Sequence, residues 1–247
     1  CFGQNVRTYS VPKISDILLR SSVELNLFDS PLLLSRNNQG LQIEQEIVKR
    51  AIDIVGSLIG IIITIPIFLI VGICIKMTDG GPIIYQQTRL TKNGKEFQIY
   101  KFRTMVQNAE ADGKARLASE KDPRILPIGR VLRATRLDEL PQIYNILKGD
   151  MSIVGPRPER PELAKELEKE IPEFSFRLQV KAGLTGYAQV YGKYNTTPYD
   201  KLKLDLTYIR NYSILEDLKL IIMTPKIMLM KESTEGVKEE QEQVNGK

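Results

Sequence analysis

The 247-residue sequence contains no histidine and no tryptophan, and it has only two cysteines. The lack of histidine excludes Ser-His-Asp and Cys-His nucleophile systems, an imidazole acid or base, and any zinc site with histidine ligands. Cys1 and Cys74 are far apart in the sequence, so neither a disulfide framework nor a CxxC redox site is available. Acid–base, nucleophilic or metal chemistry therefore has to depend mainly on carboxylates, assisted by Lys, Arg, Tyr and hydroxyl groups.

The charge balance is modestly basic. Lys and Arg total 35 against 30 Asp and Glu, which gives a net charge of +5. This excess is too small to indicate a nucleic-acid partner. It suits an anionic membrane surface or phosphorylated substrates.

One long apolar run, residues 54–75, contains no charged residue. About 20 apolar residues are enough to cross a bilayer, so the run predicts a membrane-embedded helix. Pro66 lies near its middle, where it removes a backbone hydrogen bond and bends the helix, and Thr64 or Ser57 could satisfy a freed carbonyl.

The path of this helix stays open on sequence physics. Lys49 and Arg50 precede the run and Lys76 follows it, so the positive-inside rule favours both ends on the cytoplasmic side. A kinked helix that enters and leaves by the same face fits this pattern, and an ordinary spanning helix with a tolerated proline is the alternative. Gly56 and Gly60 form a GxxxG pattern, which is a weak indication of a homodimer.

The rest of the chain reads as a mixture of short strands and helices. "SPLLLS" (30–35) predicts a strand, and Asn93-Gly94 between two β-rich runs predicts a hairpin. Residues 106–123 predict helix followed by loop. "IGRVLRATRLDELPQIYNILKGD" predicts a helix that ends at Gly149, and a charged helix is expected to be interrupted at Pro172. Residues 201–230 predict a long amphipathic helix, either packed on the core or lying in the membrane interface.

Asp138 and Glu139 are adjacent carboxylates just before Pro141 in "TRLDELPQIYN". Thr135 followed by Asp138 resembles a capping box, and Asp138 alone could cap a helix that has Pro141 in its first turn. Taken alone, these residues are better explained by helix capping than by chemistry.

Basic residues on both sides of this pair in the sequence change that interpretation. Arg133 lies just upstream, and Lys101 and Arg103 lie in "KFRTM". Arg157 stands between two prolines, which would present its guanidinium at little entropic cost for bidentate phosphate binding. Together these residues supply carboxylate ligands for a hard cation and several phosphate-binding groups, a combination that suits phosphoryl transfer.

Three blocks, "KFRTM", "LDELPQIYNILKGDMSIVGPRPE" and "VKAGLTGYAQVYG", resemble the signature blocks of the bacterial sugar transferase family. These are monotopic polyprenyl-phosphate phosphoglycosyl transferases that start exopolysaccharide, capsule and O-antigen synthesis. The resemblance runs from about residue 45 to residue 230, with the blocks in family order. Residues 1–45 resemble the end of the N-terminal region of long-form members, so we expect the chain to be the C-terminal part of such a protein.

The resemblance implies an α/β (α+β) fold in four parts. Residues 1–45 would be a linker remnant and 46–77 a re-entrant membrane helix broken at Pro66. Residues 78–231 would form a small helix-rich catalytic domain with a β-hairpin and interfacial amphipathic helices, on the cytoplasmic face of the bacterial inner membrane. Residues 232–247 would be a disordered polar tail.

The resemblance also implies the reaction. A sugar 1-phosphate would move from a UDP-sugar to undecaprenyl phosphate with release of UMP. Asp138 would be the nucleophile, Glu139 its partner, and both would bind Mg2+. Lys101, Arg103, Arg133 and Arg157 are candidates for phosphate and nucleotide contacts, with Asp205 a weaker candidate.

Two other functions remain as alternatives. One is a metal-dependent glycosyltransferase that acts by a single displacement, although the chain has no Asp-x-Asp motif. The other is a non-catalytic membrane-anchored scaffold in which Asp138 and Glu139 only cap a helix.

Overall fold

The computed structural model describes residues 43–107, 122–192 and 196–228, the single residues 14, 41 and 109, and the backbone of two strands, β1 (Ser22–Leu27) and β2 (Ser30–Ser35). The strand predicted at 30–35 is confirmed as β2, which pairs antiparallel with β1. The predicted tail at 232–247 and most of the predicted helix and loop at 106–123 lie outside the described residues.

The apolar run forms the second part of a 37-residue helix, α1 (Ile43–Asp79), which is helical through Pro66. By length and composition it could cross a membrane, and only 22% of its most apolar stretch is buried within the protein. A core helix of a soluble protein would be mostly buried, so the exposed isoleucines of α1 agree with membrane embedding.

The hydroxyl groups expected to compensate for Pro66 do not do so. The side chain of Thr64 donates to the carbonyl of Gly60 at 2.7 Å, and that of Ser57 donates to the carbonyl of Ile54 at 3.0 Å. Each hydroxyl therefore bonds within its own preceding turn, whereas Pro66 frees the carbonyl of Ile62, four residues before it.

The predicted hairpin is confirmed. Strands β3 (Ile84–Leu90) and β4 (Glu96–Phe102) pair antiparallel around the turn Lys92–Gly94. Asn93 and Gly94 both adopt positive φ, 59° and 71°, which the sequence Asn-Gly readily allows.

The region predicted as one helix up to Gly149 is instead three pieces. They are α2 (Pro127–Ala134), a 3-10 turn (Leu137–Glu139) and α3 (Gln142–Lys148). The single-helix prediction was wrong because Arg136 adopts a left-handed conformation, with φ 54°, and ends α2. Gly149 ends α3 with φ 99°, as expected for a glycine helix stop.

The remaining elements follow in order. Strand β5 (Ser152–Val154) pairs in parallel with β6 (Gly183–Thr185), and between them lie α4 (Pro161–Glu170) and a 3-10 helix (Pro172–Gln179). The predicted interruption at Pro172 is confirmed. The long amphipathic helix is two helices, α6 (Pro198–Arg210) and α7 (Ile214–Met228), preceded by the short α5 (Tyr187–Val190).

The N-terminal half of α1 is bound to the rest of the protein by polar contacts. Lys49 forms a buried ion pair with Asp217 of α7 at 2.5 Å, and Asp217 also accepts from the Tyr208 hydroxyl at 2.8 Å. Asp53 accepts hydrogen bonds from the Ser152 side chain at 3.0 Å and from the Ile153 backbone at 2.8 Å.

Gly56 and Gly60 face this domain. A Cβ added at Gly56 would lie 2.6 Å from Cδ1 of Ile153, and one at Gly60 would lie 3.4 Å from Cδ1 of Ile143. The two glycines of the GxxxG pattern therefore leave room for isoleucine side chains of the same chain to pack against α1. This packing within the chain does not support a homodimer through GxxxG, which stays a prediction.

The C-terminal half of α1 packs on a buried apolar cluster. The ring of Phe68 lies 4.8 Å from that of Phe102 of β4, and Ile75 is fully buried. Leu137 and Leu140, on either side of Asp138 and Glu139, pack against the same cluster. The two carboxylates are thus tied to α1 through their immediate neighbours.

Candidate active site

The 3-10 turn presents Asp138 and Glu139 beside β4. Leu137 and Leu140 point into the cluster shared with α1, which leaves the carboxylates free to meet Lys101 on β4. Arg136, in the left-handed conformation, redirects the chain just before this turn. Non-glycine residues with positive φ cost free energy and are more frequent at functional sites.

The capping interpretation of this turn was wrong. The Thr135 hydroxyl donates to the carbonyl of Val131 at 2.8 Å and lies at the end of α2, not at the start of a helix. The N-cap of α3 is Pro141, with no side-chain cap. The 3-10 turn, and not a helix N-terminus, therefore positions the pair.

Glu139 is held between two cations. Its Oε1 accepts from Lys101 Nζ at 2.9 Å and from Arg157 Nη2 at 2.6 Å, and Arg157 Nη1 lies 3.5 Å from Oε2. Burial alone would raise the pKa of Glu139, but the charges and hydrogen bonds of Arg157 and Lys101 hold that pKa well below its usual range. Glu139 is thus an ionised carboxylate around physiological pH.

The pKa of Asp138 is shifted in the opposite direction. Burial raises the pKa of its carboxyl, the charge of Glu139 adds to this effect, and Lys101, Arg133 and Arg157 oppose it. Two adjacent carboxyls whose pKa values move in opposite directions are typical of sites where each has a separate role. Burial also lowers the pKa of Lys101, against the influence of Glu139.

Arg157 is presented by a loop that is held from behind. Arg177 donates to the backbone carbonyl of Arg157 at 3.0 Å, and Arg89 donates to that of Pro158 at 3.2 Å. Arg177 is itself paired with Asp205, which is 1% exposed, at 2.7 Å. Asp205 therefore supports Arg157 from the interior and does not contact the carboxylate pair.

Arg177 and Arg89 were not singled out from the sequence. Each lies in an element whose local pattern is ordinary, a 3-10 helix and a strand, and each acts on a loop far away along the chain. No spacing signal could have identified them.

The six predicted site residues separate into those that meet and those that do not. Lys101, Asp138, Glu139 and Arg157 come together, and Arg133 is near enough to Asp138 to influence its pKa. Arg103 does not join them. Its guanidinium forms a bidentate ion pair with both carboxylate oxygens of Asp79, with Nη1 at 2.6 Å from Oδ2. Its Nε donates to the Pro82 carbonyl at 2.7 Å.

Arg103 thus fastens the end of α1 to β4. With 5% exposure and all three guanidinium nitrogens bonded, it has little capacity left for a phosphate. The phosphate-binding role expected of Arg103 does not fit this geometry.

A magnesium ion fits this site through Asp138 better than through Glu139. Both oxygens of Glu139 already face cations, whereas Asp138 forms none of these ion pairs. Within the described residues, no group of three or more Cys, Asp or Glu side chains could hold a metal unaided. Mg2+ commonly binds through one or two carboxylates together with substrate phosphates, and this site could hold it in that way.

Comparison with known proteins gives the class to which this site belongs. Residues 44–231 match the model of the bacterial sugar transferase family. The chain belongs to this family.

Similar curated proteins carry related names. A UDP-N-acetylgalactosamine-undecaprenyl-phosphate N-acetylgalactosaminephosphotransferase of Aeromonas hydrophila is 39% identical over 185 residues, covering 74% of this chain and 44% of that protein. An undecaprenyl-phosphate galactose phosphotransferase of Salmonella typhimurium is 36% identical, covering 90% and 49%. A UDP-glucose:undecaprenyl-phosphate glucose-1-phosphate transferase of Klebsiella pneumoniae is 39% identical, covering 80% and 42%. The chain spans less than half the length of these relatives.

Proposed function

We propose that this chain transfers a sugar 1-phosphate from a UDP-sugar to undecaprenyl phosphate, the first membrane step of exopolysaccharide or capsule synthesis. The observation that carries the proposal is the carboxylate pair beside Lys101 and Arg157, anchored through Leu137 and Leu140 to a helix apolar enough for a membrane. The names of the relatives, three of which specify undecaprenyl phosphate and different sugars, support it. The sugar itself stays open.

In the first step, an oxygen of the Asp138 carboxylate attacks the β-phosphorus, which carries the sugar. The bond between this phosphorus and the bridging oxygen breaks, and UMP leaves with that oxygen and its electron pair. The product is an acyl phosphate that links the sugar to Asp138. A more basic carboxylate is the better nucleophile once ionised, which agrees with the raised pKa of Asp138.

In the second step, a phosphate oxygen of the lipid acceptor attacks the same phosphorus. The acyl phosphate bond breaks, its electrons return to the Asp138 carboxylate, and the lipid diphosphate sugar is released. The acceptor is already largely anionic at neutral pH, so neither step needs an imidazole base. The absence of histidine is therefore compatible with this chemistry.

Glu139 has a positioning role in this scheme. Its ionised carboxylate holds Lys101 and Arg157 beside Asp138, where their charges can stabilise the diphosphate as UMP leaves. Mg2+ held by Asp138 and the donor phosphates would further neutralise charge on the diphosphate. Arg133 would add to the positive potential from α2.

The contacts of α1 support a re-entrant path with the catalytic domain on the cytoplasmic face. The domain binds α1 at Lys49 and again at Ile75, positions about 39 Å apart along a helix. If α1 crossed the bilayer, this charged domain would have to lie within a hydrocarbon layer about 30 Å thick. Entering and leaving by one face avoids that cost, and it requires α1 to bend at Pro66 within the membrane.

Isotope exchange distinguishes the proposal from its alternatives. The protein is incubated with a UDP-sugar, Mg2+ and labelled UMP, without any lipid acceptor. A covalent intermediate predicts that label appears in the UDP-sugar, whereas a single-displacement transferase needs the acceptor for any turnover. No exchange combined with transfer to undecaprenyl phosphate would favour single displacement, and neither activity would favour a scaffold.

A further inference from the structure

Lys181, which lies two residues before β6, is a partly buried cation. Its side chain forms no hydrogen bond or ion pair with any residue that the structure describes. Burial lowers the pKa of Lys181, and the positive charge of Arg50 adds to this effect. Asp53 and Glu46 oppose the shift, and Lys92 lowers the pKa further. Lys181 therefore lies in a cluster of charges of both signs, none of which is bonded to it.

The two carboxylates of this cluster are already engaged elsewhere. Glu46 forms an ion pair with Lys92, and Asp53 accepts hydrogen bonds from the start of β5. Arg50 donates to two carbonyls in the last turn of α3, each at 2.7 Å, and has no ion pair within the described part of the chain. The cluster thus has three cations against two carboxylates, which leaves one positive charge, on Lys181 and Arg50. A phosphodiester anion carries one negative charge and would neutralise it.

Hydrogen bonds between neighbouring elements fix the position of Lys181. The Ala182 N–H donates to the Thr91 hydroxyl at 3.2 Å. Lys181 therefore lies beside the turn that begins at Lys92. The Ala182 carbonyl accepts from the N–H of Ser152 at 2.8 Å, and the hydroxyl of that serine donates to α1 at 3.0 Å. The cations of the cluster are thus brought together by the fold before any ligand binds.

The cluster lies where α1 begins its apolar stretch. Because residues of an α-helix follow each other about every 100° around the axis, Arg50 shares a face with Ile43 and Ile54. Ile43 is 78% exposed, and Ile47, on the same face, is 65% exposed. The apolar surface of α1 thus continues past Ile54 toward its N-terminus. Arg50 lies four residues, about 6 Å, before Ile54, which is the depth of the lipid headgroups when residues 54–75 fill the hydrocarbon layer.

We propose that Lys181 and Arg50 bind the phosphate of an anionic phospholipid at the point where α1 enters the membrane. Basic pockets beside membrane helices bind anionic headgroups in this way. Lys181 belongs to the catalytic domain and Arg50 to α1, so the lipid phosphate would join the two and hold the domain at a fixed height above the bilayer. This inference depends on membrane embedding of α1 and not on the reaction.

Competition between two phospholipids tests the site. The full chain is purified in detergent with equal amounts of phosphatidylglycerol and phosphatidylcholine, and the lipids that stay bound are counted by native mass spectrometry. Lys181→Gln should lower the ratio of bound phosphatidylglycerol to phosphatidylcholine about fivefold, the loss expected for one basic residue at an anionic membrane surface. Lys181→Arg should keep the ratio. Lys165→Gln is the matched control, because Lys165 is exposed on α4, which packs on the 3-10 helix and β3.

An unchanged ratio in Lys181→Gln would overturn the proposal. An equal fall in Lys165→Gln would also overturn it, because the attraction would then come from the net charge of the protein and not from a site.

Thermal unfolding in nanodiscs separates a lipid site from the other roles that Lys181 could have. In phosphatidylcholine alone, Lys181→Gln should not lower the Tm, because it removes a cation that Arg50 and Lys92 repel. A lower Tm there would mean that Asp53 and Glu46 already compensate Lys181, which would contradict the proposal. Phosphatidylglycerol should raise the Tm of the unaltered protein, whereas inorganic phosphate should not. An equal rise with inorganic phosphate would assign the site to a soluble anion and overturn the lipid assignment.

Discussion

Arg157→Lys tests whether the forked contact of Arg157, rather than its charge alone, drives formation of the covalent intermediate. Arg157 approaches both oxygens of Glu139, at 2.6 Å and 3.5 Å, and a lysine can present only one ammonium group. A hydrogen bond to a charged group contributes about 1.5–3 kcal/mol. Because the Arg157 side chain is 41% exposed, solvent screening points to the low end of that range, about 1.5 kcal/mol. We therefore expect formation of the Asp138 adduct to slow by about tenfold.

The assay is single-turnover release of UMP from a UDP-sugar without acceptor. Arg130→Lys, an equivalent change at an exposed position of α2, should behave as the unaltered protein. A rate of UMP release in Arg157→Lys equal to that in the control would refute the role given to the bidentate contact between Arg157 and Glu139. A comparable loss in both variants would point to an effect on folding.

Three further predictions concern the same site and its supports. Burial is the largest influence that raises the pKa of Asp138, while Lys101 lowers it and Glu139 raises it. The acid limb of the pH profile of adduct formation should therefore move to higher pH in Lys101→Met and to lower pH in Glu139→Gln. If the acid limb moved in the same direction in both variants, the assignment of this limb to Asp138 would be contradicted. Burial raises the pKa of Asp205 to about 6, above its value of about 3.8 in the unfolded chain, so its stabilising contribution is present at acidic pH and lost as pH rises through 6. Asp205→Asn should lack this pH dependence of Tm and should also raise KM for the UDP-sugar, because Arg177 loses the partner that holds the Arg157 loop. A KM equal to that of the unaltered protein would show that the loop does not need this support. Arg103→Lys should lower the Tm but leave KM for the UDP-sugar within about twofold, because Arg103 binds Asp79 and not the site. A large rise in KM at unchanged Tm would restore it as a substrate ligand.

Much of the site could be predicted because its parts lie in compact segments with recognisable patterns. Asp138, Glu139, Lys101 and the proline-flanked Arg157 were identified from the sequence, and in the structure Glu139 forms ion pairs with both Lys101 and Arg157. The Asn93-Gly94 hairpin that positions Lys101 was also predictable, because few dipeptides fit positive φ at both turn positions.

The errors come from long-range contacts and one unusual backbone conformation. Arg103 looked like a phosphate ligand because its partner, Asp79, lies 24 residues away and nothing local indicates the pairing. The left-handed Arg136 divides what the hydrophobic pattern predicted as one helix. Periodicity reports which face of a segment is apolar, but it does not report where the backbone turns.

The most direct test of the central claim is mass spectrometry of the protein after incubation with a UDP-sugar and Mg2+ in the absence of lipid acceptor. The account predicts a sugar-phosphate adduct on the peptide that contains Asp138, removed on addition of undecaprenyl phosphate and absent from Asp138→Asn. An adduct on another residue, or full transfer activity in Asp138→Asn, would contradict it.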